Sequence, residues 1–218
     1  MQRVEVKTPH HAGIRIATLV ASILLFSMTG ILLSIRGTPA WDLRLSTAAH
    51  SLVAPLTTVI MRAVTWTGEP IAAGFTALLI VWFWLRERRG TSLLFFVSVT
   101  GGAILNELLK RLFTRARPDL FQPLAREIGY SFPSGHTTTA AALYGLCAIL
   151  LYRSGHRIAA LLTLLWVPFV GASRIYLAVH WPSDVLGSLL LGTAWLTLVV
   201  SLYDWRLAPP SRPVSREP

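Results

Sequence analysis

Long apolar segments recur along this 218-residue chain, and they constrain its fold more than any other feature. The first covers residues 14–35, a run of 22 residues that is apolar apart from Arg15 at its start. About 20 consecutive apolar residues are enough to cross the hydrocarbon core of a bilayer as a helix. A signal peptide would instead have an apolar stretch of about 7–15 residues followed by a small-residue cleavage site. We therefore predict that residues 14–35 form a transmembrane helix.

Five further apolar segments follow, at residues 71–85, 91–109, 137–152, 158–172 and 185–202. Only 14% of the residues are charged, against roughly a quarter in soluble domains. Residues 37–68 mix charged and aromatic side chains with prolines, a pattern typical of one or two helices at the membrane interface. The sequence predicts an all-α fold, a six-transmembrane helix bundle with interfacial helices between the first and second spans. Because the shortest segments have 15 residues, we expect their helices to extend into the flanking polar sequence.

The distribution of basic residues predicts the orientation. Six spans place both termini on the same side as the loops at residues 86–90 and 153–157, together with 11 of the 20 basic residues. Six of the other nine lie between Lys110 and Arg174, and setting them aside leaves 11 against three. The positive-inside rule then makes the termini cytoplasmic. Residues 1–13 become a cytoplasmic tail, 14–203 one membrane domain, and 204–218 a disordered cytoplasmic tail.

The six exceptional basic residues belong to a region with three short motifs, at residues 110–118, 133–136 and 173–184. All three lie near the outer ends of the third to sixth spans. In the second motif, a proline precedes Ser-Gly-His at the start of a span, where free backbone N–H groups and the helix dipole favour an anion. Lys110 stands out because the chain has 18 Arg and only two Lys. A phosphate site at this face is therefore expected, and the high hydrophobicity excludes a soluble nucleic-acid binder.

The motifs read Lys-x6-Arg-Pro, Pro-Ser-Gly-His and Ser-Arg-x5-His-x3-Asp. In residue, spacing and order they resemble the type 2 phosphatidic acid phosphatase family, the lipid branch of the vanadium-haloperoxidase-like acid phosphatases. The resemblance implies a hydrolase that acts on phosphate monoesters or diphosphates of lipids through a phosphohistidine. It also implies that no metal or other cofactor takes part and that vanadate inhibits. Residues 14–203 would then be a six-helix membrane phosphatase domain.

The resemblance assigns roles to individual residues. His180 is the nucleophile, Asp184 orients its ring, and His136 is the general acid and then the base. The phosphoryl oxygens are held by a second set: Lys110, Arg117, Ser134, Gly135 and Arg174. The residue types suit this chemistry, because phosphoryl transfer depends on positioning and on cations around the equatorial oxygens. The i, i+4 spacing also lets Asp184 meet His180 if the sixth helix begins by Trp181.

Five polar residues near the motifs have no role in the family pattern. We interpret Arg111, Arg115 and Arg126 as contacts to headgroups or to substrate charge. Asn106 and Glu107 fit either a position facing the site or the ordinary polarity of a helix end.

The expected substrate is a lipid phosphate that enters laterally from the bilayer, its tail in lipid and its phosphate at the basic cluster. Phosphatidic acid, phosphatidylglycerophosphate and undecaprenyl diphosphate all fit, with the site on the outer face of a bacterial inner membrane. An alternative is a lipid phosphotransferase or a lipid A phosphatase-type enzyme, which would use the same phosphohistidine. A more distant alternative is a non-enzymatic anion or lipid transporter, which predicts charged or broken segments at the midplane. The sequence does not identify a protein partner.

Overall fold

A computed structural model describes the backbone of residues 9–207 and the side chains of residues 12–206. Within these residues the chain is helical and contains no strand. The helices are α1 (Pro9–Arg36), α2 (Ala40–His50), α3 (Pro55–Trp66), α4 (Pro70–Leu85), α5 (Arg89–Phe113), α6 (Gly135–Ala140), α7 (Leu146–Arg153), α8 (Arg157–Tyr176) and α9 (Pro182–Leu207). A π-helical turn (Ala141–Gly145) joins α6 to α7. Most of the two predicted tails lies outside the described residues.

Prolines and glycines mark several of the helix ends. Pro55, Pro70 and Pro182 are the first residues of α3, α4 and α9, a position where the missing N–H has no helical partner to lose. Gly37 follows α1 with a positive φ of 70°, and its N–H donates to the carbonyl of Leu33 at 3.1 Å. This left-handed termination is one that glycine adopts without steric cost.

Five helical stretches of the described chain are long and apolar enough to cross a membrane: Ala12–Arg36, Pro55–Leu85, Arg89–Phe113, Arg157–Tyr176 and Pro182–Arg206. The protein is therefore an integral membrane protein. Four of these stretches extend beyond the predicted apolar segments by at least five residues in all, as expected from the short segments. The region predicted to lie at the interface holds α2 and α3, but α3 and α4 together form one of the five stretches. Residues 55–66 therefore lengthen the second span instead of lying apart from it.

The segment predicted as the fourth span consists of α6, the π turn and α7, so it is not an uninterrupted helix. It lies at the centre of the bundle, where Leu143 and Leu146 are fully buried and α5, α8 and α9 pack around it. The approach of α9 is very close. A Cβ added to Gly192 would lie 2.4 Å from the Cβ of Ala141, so only glycine permits this contact.

The loop between α5 and α6, residues 114–134, covers one end of the bundle. The N–H of Leu124 donates to the carbonyl of Leu177 at 3.0 Å, and Arg62 donates to the carbonyl of Leu124 at 2.9 Å. Further along, Phe132 is fully buried and stacks on Phe26 with the ring centroids 5.5 Å apart. These contacts fix the loop over the ends of the helices that carry the three motifs.

Candidate active site

The three motifs meet at one end of the helix bundle. Lys110 lies in the last turn of α5 and Arg174 in the last turn of α8. Asp184 lies in the first turn of α9, and His136 in the first turn of α6. His180 belongs to the short loop between α8 and α9. The fold therefore gathers the polar ends of four separate helices around two histidines.

His180 is almost completely enclosed, with 1% of its side chain exposed. Its Nδ1 lies 3.4 Å from Oδ2 of Asp184, and Arg117 lies 3.3 Å from its Nε2. A guanidinium can only donate, so Nε2 accepts and Nδ1 carries the ring proton towards Asp184. Burial, followed by the positive charges of Arg174, Arg117 and Lys110, lowers the pKa of His180 well below 6.5. In this tautomer the lone pair of Nε2, which accepts from Arg117 in this arrangement, is the one a nucleophile would use.

Asp184 is fully buried and is fixed through both carboxylate oxygens. Oδ2 accepts the backbone N–H of Trp181 at 2.8 Å, which satisfies one of the free N–H groups at the start of α9. Oδ1 accepts from Arg115 at 2.6 Å. The predicted i, i+4 contact with His180 exists although α9 begins at Pro182, because Trp181 acts as the capping residue. At 3.4 Å the contact is an ion-pair distance, and Nδ1 of His180 has no hydrogen-bond partner among the described residues.

His136 has the same type of partner in a more open setting. Its Nδ1 lies 2.9 Å from Oε2 of Glu69, and 9% of its side chain is exposed. A second carboxylate, that of Glu127, lies 3.8 Å from the same nitrogen. Because Glu69 engages Nδ1, Nε2 is the nitrogen that remains for proton transfer. The ring is therefore oriented but not sealed from solvent.

A carboxylate occupies the centre of the cationic cluster. Glu127 pairs with Arg174 through Oε1 and lies 3.5 Å from Arg117 through Oε2. Arg174 is almost completely buried and also donates to the hydroxyl of Thr65. Among the described residues, no group accepts a hydrogen bond from the buried Nε of Arg174. The cluster thus already binds one anion and keeps a buried donor for another acceptor, which is the requirement of a phosphate site.

Glu69, Glu127 and His136 place potential metal-ligand atoms within 4.8 Å of one another. The charges around them favour a different arrangement. Glu127 is neutralised by Arg174 and Arg117, and these fixed cations would repel a divalent ion at the same position.

Lys110 and the Pro-Ser-Gly-His segment face each other across a narrow gap. A Cβ added to Gly135 would lie 3.6 Å from both Nζ of Lys110 and Oδ1 of Asn106, so the bare backbone of Gly135 faces the lysine. Asn106 donates to the hydroxyl of Thr138 at 2.9 Å, which ties α5 to α6. Ser134 is fully buried, and its hydroxyl accepts from that of Thr137 at 3.1 Å, so the role of its N–H at a phosphate stays a prediction.

The arginines outside the family pattern lie in different environments. The interpretation of Arg115 as a headgroup or substrate contact is wrong. The side chain of Arg115 is 10% exposed and is paired with the buried carboxylates of Asp42 and Asp184. Arg111 instead forms an exposed pair with Glu107 at 3.2 Å, so this glutamate serves the helix surface. Arg126 lines an open cleft of about 250 Å³ beside the site.

Sequence analysis missed three acidic residues of the site region: Asp42, Glu69 and Glu127. None of them belongs to a periodic pattern or a motif, and each contacts at least one basic group that is distant along the chain. One signal was present. The chain has only 10 acidic residues against 20 basic ones, so each carboxylate within a mostly apolar region was a candidate partner for a buried cation.

A buried histidine–carboxylate pair beside an arginine-rich cluster, at the ends of membrane-spanning helices, is an arrangement that suits phosphoryl transfer by an integral membrane protein. The sequence model of the PAP2 superfamily matches residues 91–208 of the chain, just over half of its length. The chain therefore belongs to the PAP2 superfamily, and the resemblance carried by the three motifs is confirmed.

Individual relatives agree with this assignment. Phosphatidylglycerophosphatase B of Bacillus subtilis is 33% identical over 195 residues, which are 83% of this chain and 92% of that protein. Lipid A 1-phosphatase of Rhizobium johnstonii is 35% identical over 138 residues, 56% of this chain and 54% of that protein. The crystal structure of the transmembrane PAP2-type phosphatidylglycerolphosphate phosphatase of B. subtilis superposes with a TM-score of 0.77 at 30% identity, covering 89% of this chain and 99% of that chain.

Proposed function

We propose that the protein is a membrane lipid phosphatase that transfers the phosphoryl group of a lipid phosphate to His180 and then to water. The observation that carries this proposal is the pair of histidines, each facing a carboxylate, beside an arginine cluster in which the buried Nε of Arg174 has no hydrogen-bond partner among the described residues. Membership of the PAP2 superfamily and the names of the relatives agree with it.

The reaction would proceed in two displacements. Nε2 of His180 attacks phosphorus and forms an N–P bond as the P–O bond to the lipid breaks. His136 gives its Nε2 proton to the leaving oxygen, and the lipid product departs. His136 then takes a proton from water, whose oxygen attacks phosphorus and breaks the N–P bond, releasing inorganic phosphate. Asp184 stabilises the charge on the His180 ring while the N–P bond exists.

The cationic residues would stabilise the transferring group. Arg174 and Arg117 bind its equatorial oxygens, with Lys110 and the N–H groups of Ser134 and Gly135 completing the shell. In the substrate-free arrangement, the carboxylate of Glu127 lies between Arg174 and Arg117. We infer that the substrate phosphate displaces it, since a dianion competes well for two guanidinium groups.

The preferred substrates are lipids with a terminal phosphate. Phosphatidylglycerophosphate is the first candidate, because the relative that aligns with most of the chain is named for it, and phosphatidic acid and undecaprenyl diphosphate follow. The name of a second relative supports lipid A 1-phosphate as a further class. We propose that no metal ion takes part, since the fixed cations already supply the charge that a metal would provide.

We also propose six membrane crossings. Five are the long apolar stretches, and the sixth is the helical segment of residues 135–153, which contains the π turn. An even number places both termini together in the cytoplasm, in line with the basic loops at 86–90 and 153–157. The site would then face the outer side of a bacterial inner membrane. A lipid substrate would enter laterally, its tail remaining in the bilayer.

The test is inorganic phosphate release by the purified protein from phosphatidylglycerophosphate, phosphatidic acid and undecaprenyl diphosphate in matched micelles containing EDTA. We expect release from at least one lipid, inhibition by vanadate, and complete loss in His180→Ala. His156→Ala changes an exposed histidine of the α7–α8 loop and should retain full activity. Release that persists in His180→Ala, or that requires a divalent cation, would contradict the proposal.

A further inference from the structure

A second buried carboxylate lies behind the proposed catalytic pair. Asp42, on the short helix α2, is completely buried. Its Oδ1 accepts the backbone N–H of Ser183 at 2.8 Å, and its Oδ2 accepts the hydroxyl of the same serine. A buried carboxylate is costly unless it is paired. Asp42 is paired with Arg115, whose guanidinium donates to Oδ2 at 2.8 Å.

Arg115 joins this carboxylate to the proposed catalytic one. One guanidinium nitrogen donates to Oδ1 of Asp184 and to the hydroxyl of Ser183, both at 2.6 Å. The other nitrogen donates to Asp42, and the group lies 5.6 Å from the ring centroid of Trp181. The planar fork of arginine is needed for this, since a lysine has no two fixed donors to divide between two carboxylates.

Three segments distant in sequence therefore meet at the first turn of α9, and two of them hold it in place. Asp42 comes from α2, Arg115 from the loop that follows α5, and Ser183 with Asp184 from α9 itself. Either carboxylate oxygen of Asp184 could in principle face His180. Because Arg115 engages Oδ1, the oxygen that faces Nδ1 of His180 is Oδ2.

We propose that Asp42 and Arg115 are positioning residues for the proposed phosphoryl transfer: they fix the rotamer of Asp184 and, through it, the orientation and tautomer of His180. This inference rests on the proposed function. A shift of the nucleophile by about 1 Å is enough to reduce the rate of a positioned reaction by roughly 100-fold. The short helix α2 thereby belongs to the catalytic apparatus, although it lies far from the three motifs in sequence.

The test compares Asp42→Asn and Arg115→Gln with the wild type by rapid-quench measurement of phosphohistidine formation. We expect the rate constant of phosphorylation to fall by about 100-fold, with KM unchanged. The amplitude, which counts correctly folded enzyme, should be retained. Arg115→Lys, which keeps the charge but not the fork, should recover part of the rate. Matched controls are Asp204→Asn and Arg153→Gln, which break an ion pair at the other end of the bundle.

The outcomes separate positioning from folding. Loss of amplitude with an unchanged rate constant would show that the network only stabilises the fold and would overturn the inference. Rate constants equal to those of the controls would do the same. If a single variant fails to fold because it changes the net charge of the buried cluster, the double variant Asp42→Asn/Arg115→Gln removes one charge of each sign and keeps the net charge of Asp42, Arg115 and Asp184 as in the wild type. That variant should fold and still phosphorylate slowly, and a normal rate would overturn the inference. A wild type that formed no phosphohistidine would overturn the proposed function as well.

Discussion

The two histidines of the site are built alike but enclosed differently. His180 and its partner Asp184 are both sealed, with side-chain exposures of 1% and 0%. His136 is nearly as buried, but its partner Glu69 is 62% exposed. Asp184 is further held by Arg115 and by a backbone N–H. Glu69, in contrast, lies in the turn just before α4 with its carboxylate open to solvent.

This difference matches the two chemical roles proposed for His180 and His136. A nucleophile must stay neutral and present one fixed nitrogen to phosphorus, and both requirements are met by burial and a rigid partner. A group that first gives and then takes a proton must exchange with water between the two steps. The rigid pair thus suits bond formation, and the open pair suits proton transfer.

The largest contrast is expected between the two carboxylates. Asp184→Asn should lower kcat by on the order of 10³–10⁴-fold, as when the wrong tautomer is imposed in a Ser-His-Asp triad. Glu69→Gln should cost less than about fivefold, because an exposed ion pair contributes at most about 1 kcal/mol. Steady-state kinetics on one lipid phosphate measures both. The exposed Glu107→Gln is the control, and equal losses in the two variants would remove the distinction between a rigid and an open pair.

A smaller effect, which depends on the substrate, is expected at His136. His136→Gln should lower kcat by about 10²–10³-fold on an alkyl phosphate, the usual contribution of a general acid. With a nitrophenyl phosphate ester, whose leaving group needs no proton, phosphohistidine should still form at close to the wild-type rate. Hydrolysis of the intermediate should remain slow, so the phosphoenzyme should accumulate. Equal impairment on both esters would show that His136 is not the acid.

The sequence predicted the helices and the motif residues better than the contacts between them. Apolar runs and prolines are local signals, so most helix ends lie close to their predicted positions. The link from Asp42 to Arg115 spans 73 residues and that from Arg115 to Asp184 spans 69, and neither has a local signature. No sequence pattern marks Glu127 either, since its contacts depend on how the loop of residues 114–134 folds over the helix ends.

The smallest effect concerns stability and follows from the enclosure of His180. Its pKa lies well below 6.5 in the folded state because burial and nearby cations oppose protonation. Below about pH 6.5 the unfolded chain therefore binds a proton that the folded chain does not, and stability falls as the pH falls. The contribution of His180 to the free energy of unfolding keeps its full value above pH 6.5. Between pH 6.5 and the folded-state pKa of His180 it falls by up to about 1.4 kcal/mol per pH unit.

Unfolding in detergent at several pH values between 7.5 and 5 would measure this slope. Wild type should lose stability relative to His180→Gln as the medium is acidified, whereas His156→Gln should follow the wild type throughout. Parallel curves for wild type and His180→Gln would mean that the ring is already solvated or protonated in the folded state. The nucleophile would then share the open character of His136, and the contrast between the two histidines would no longer hold.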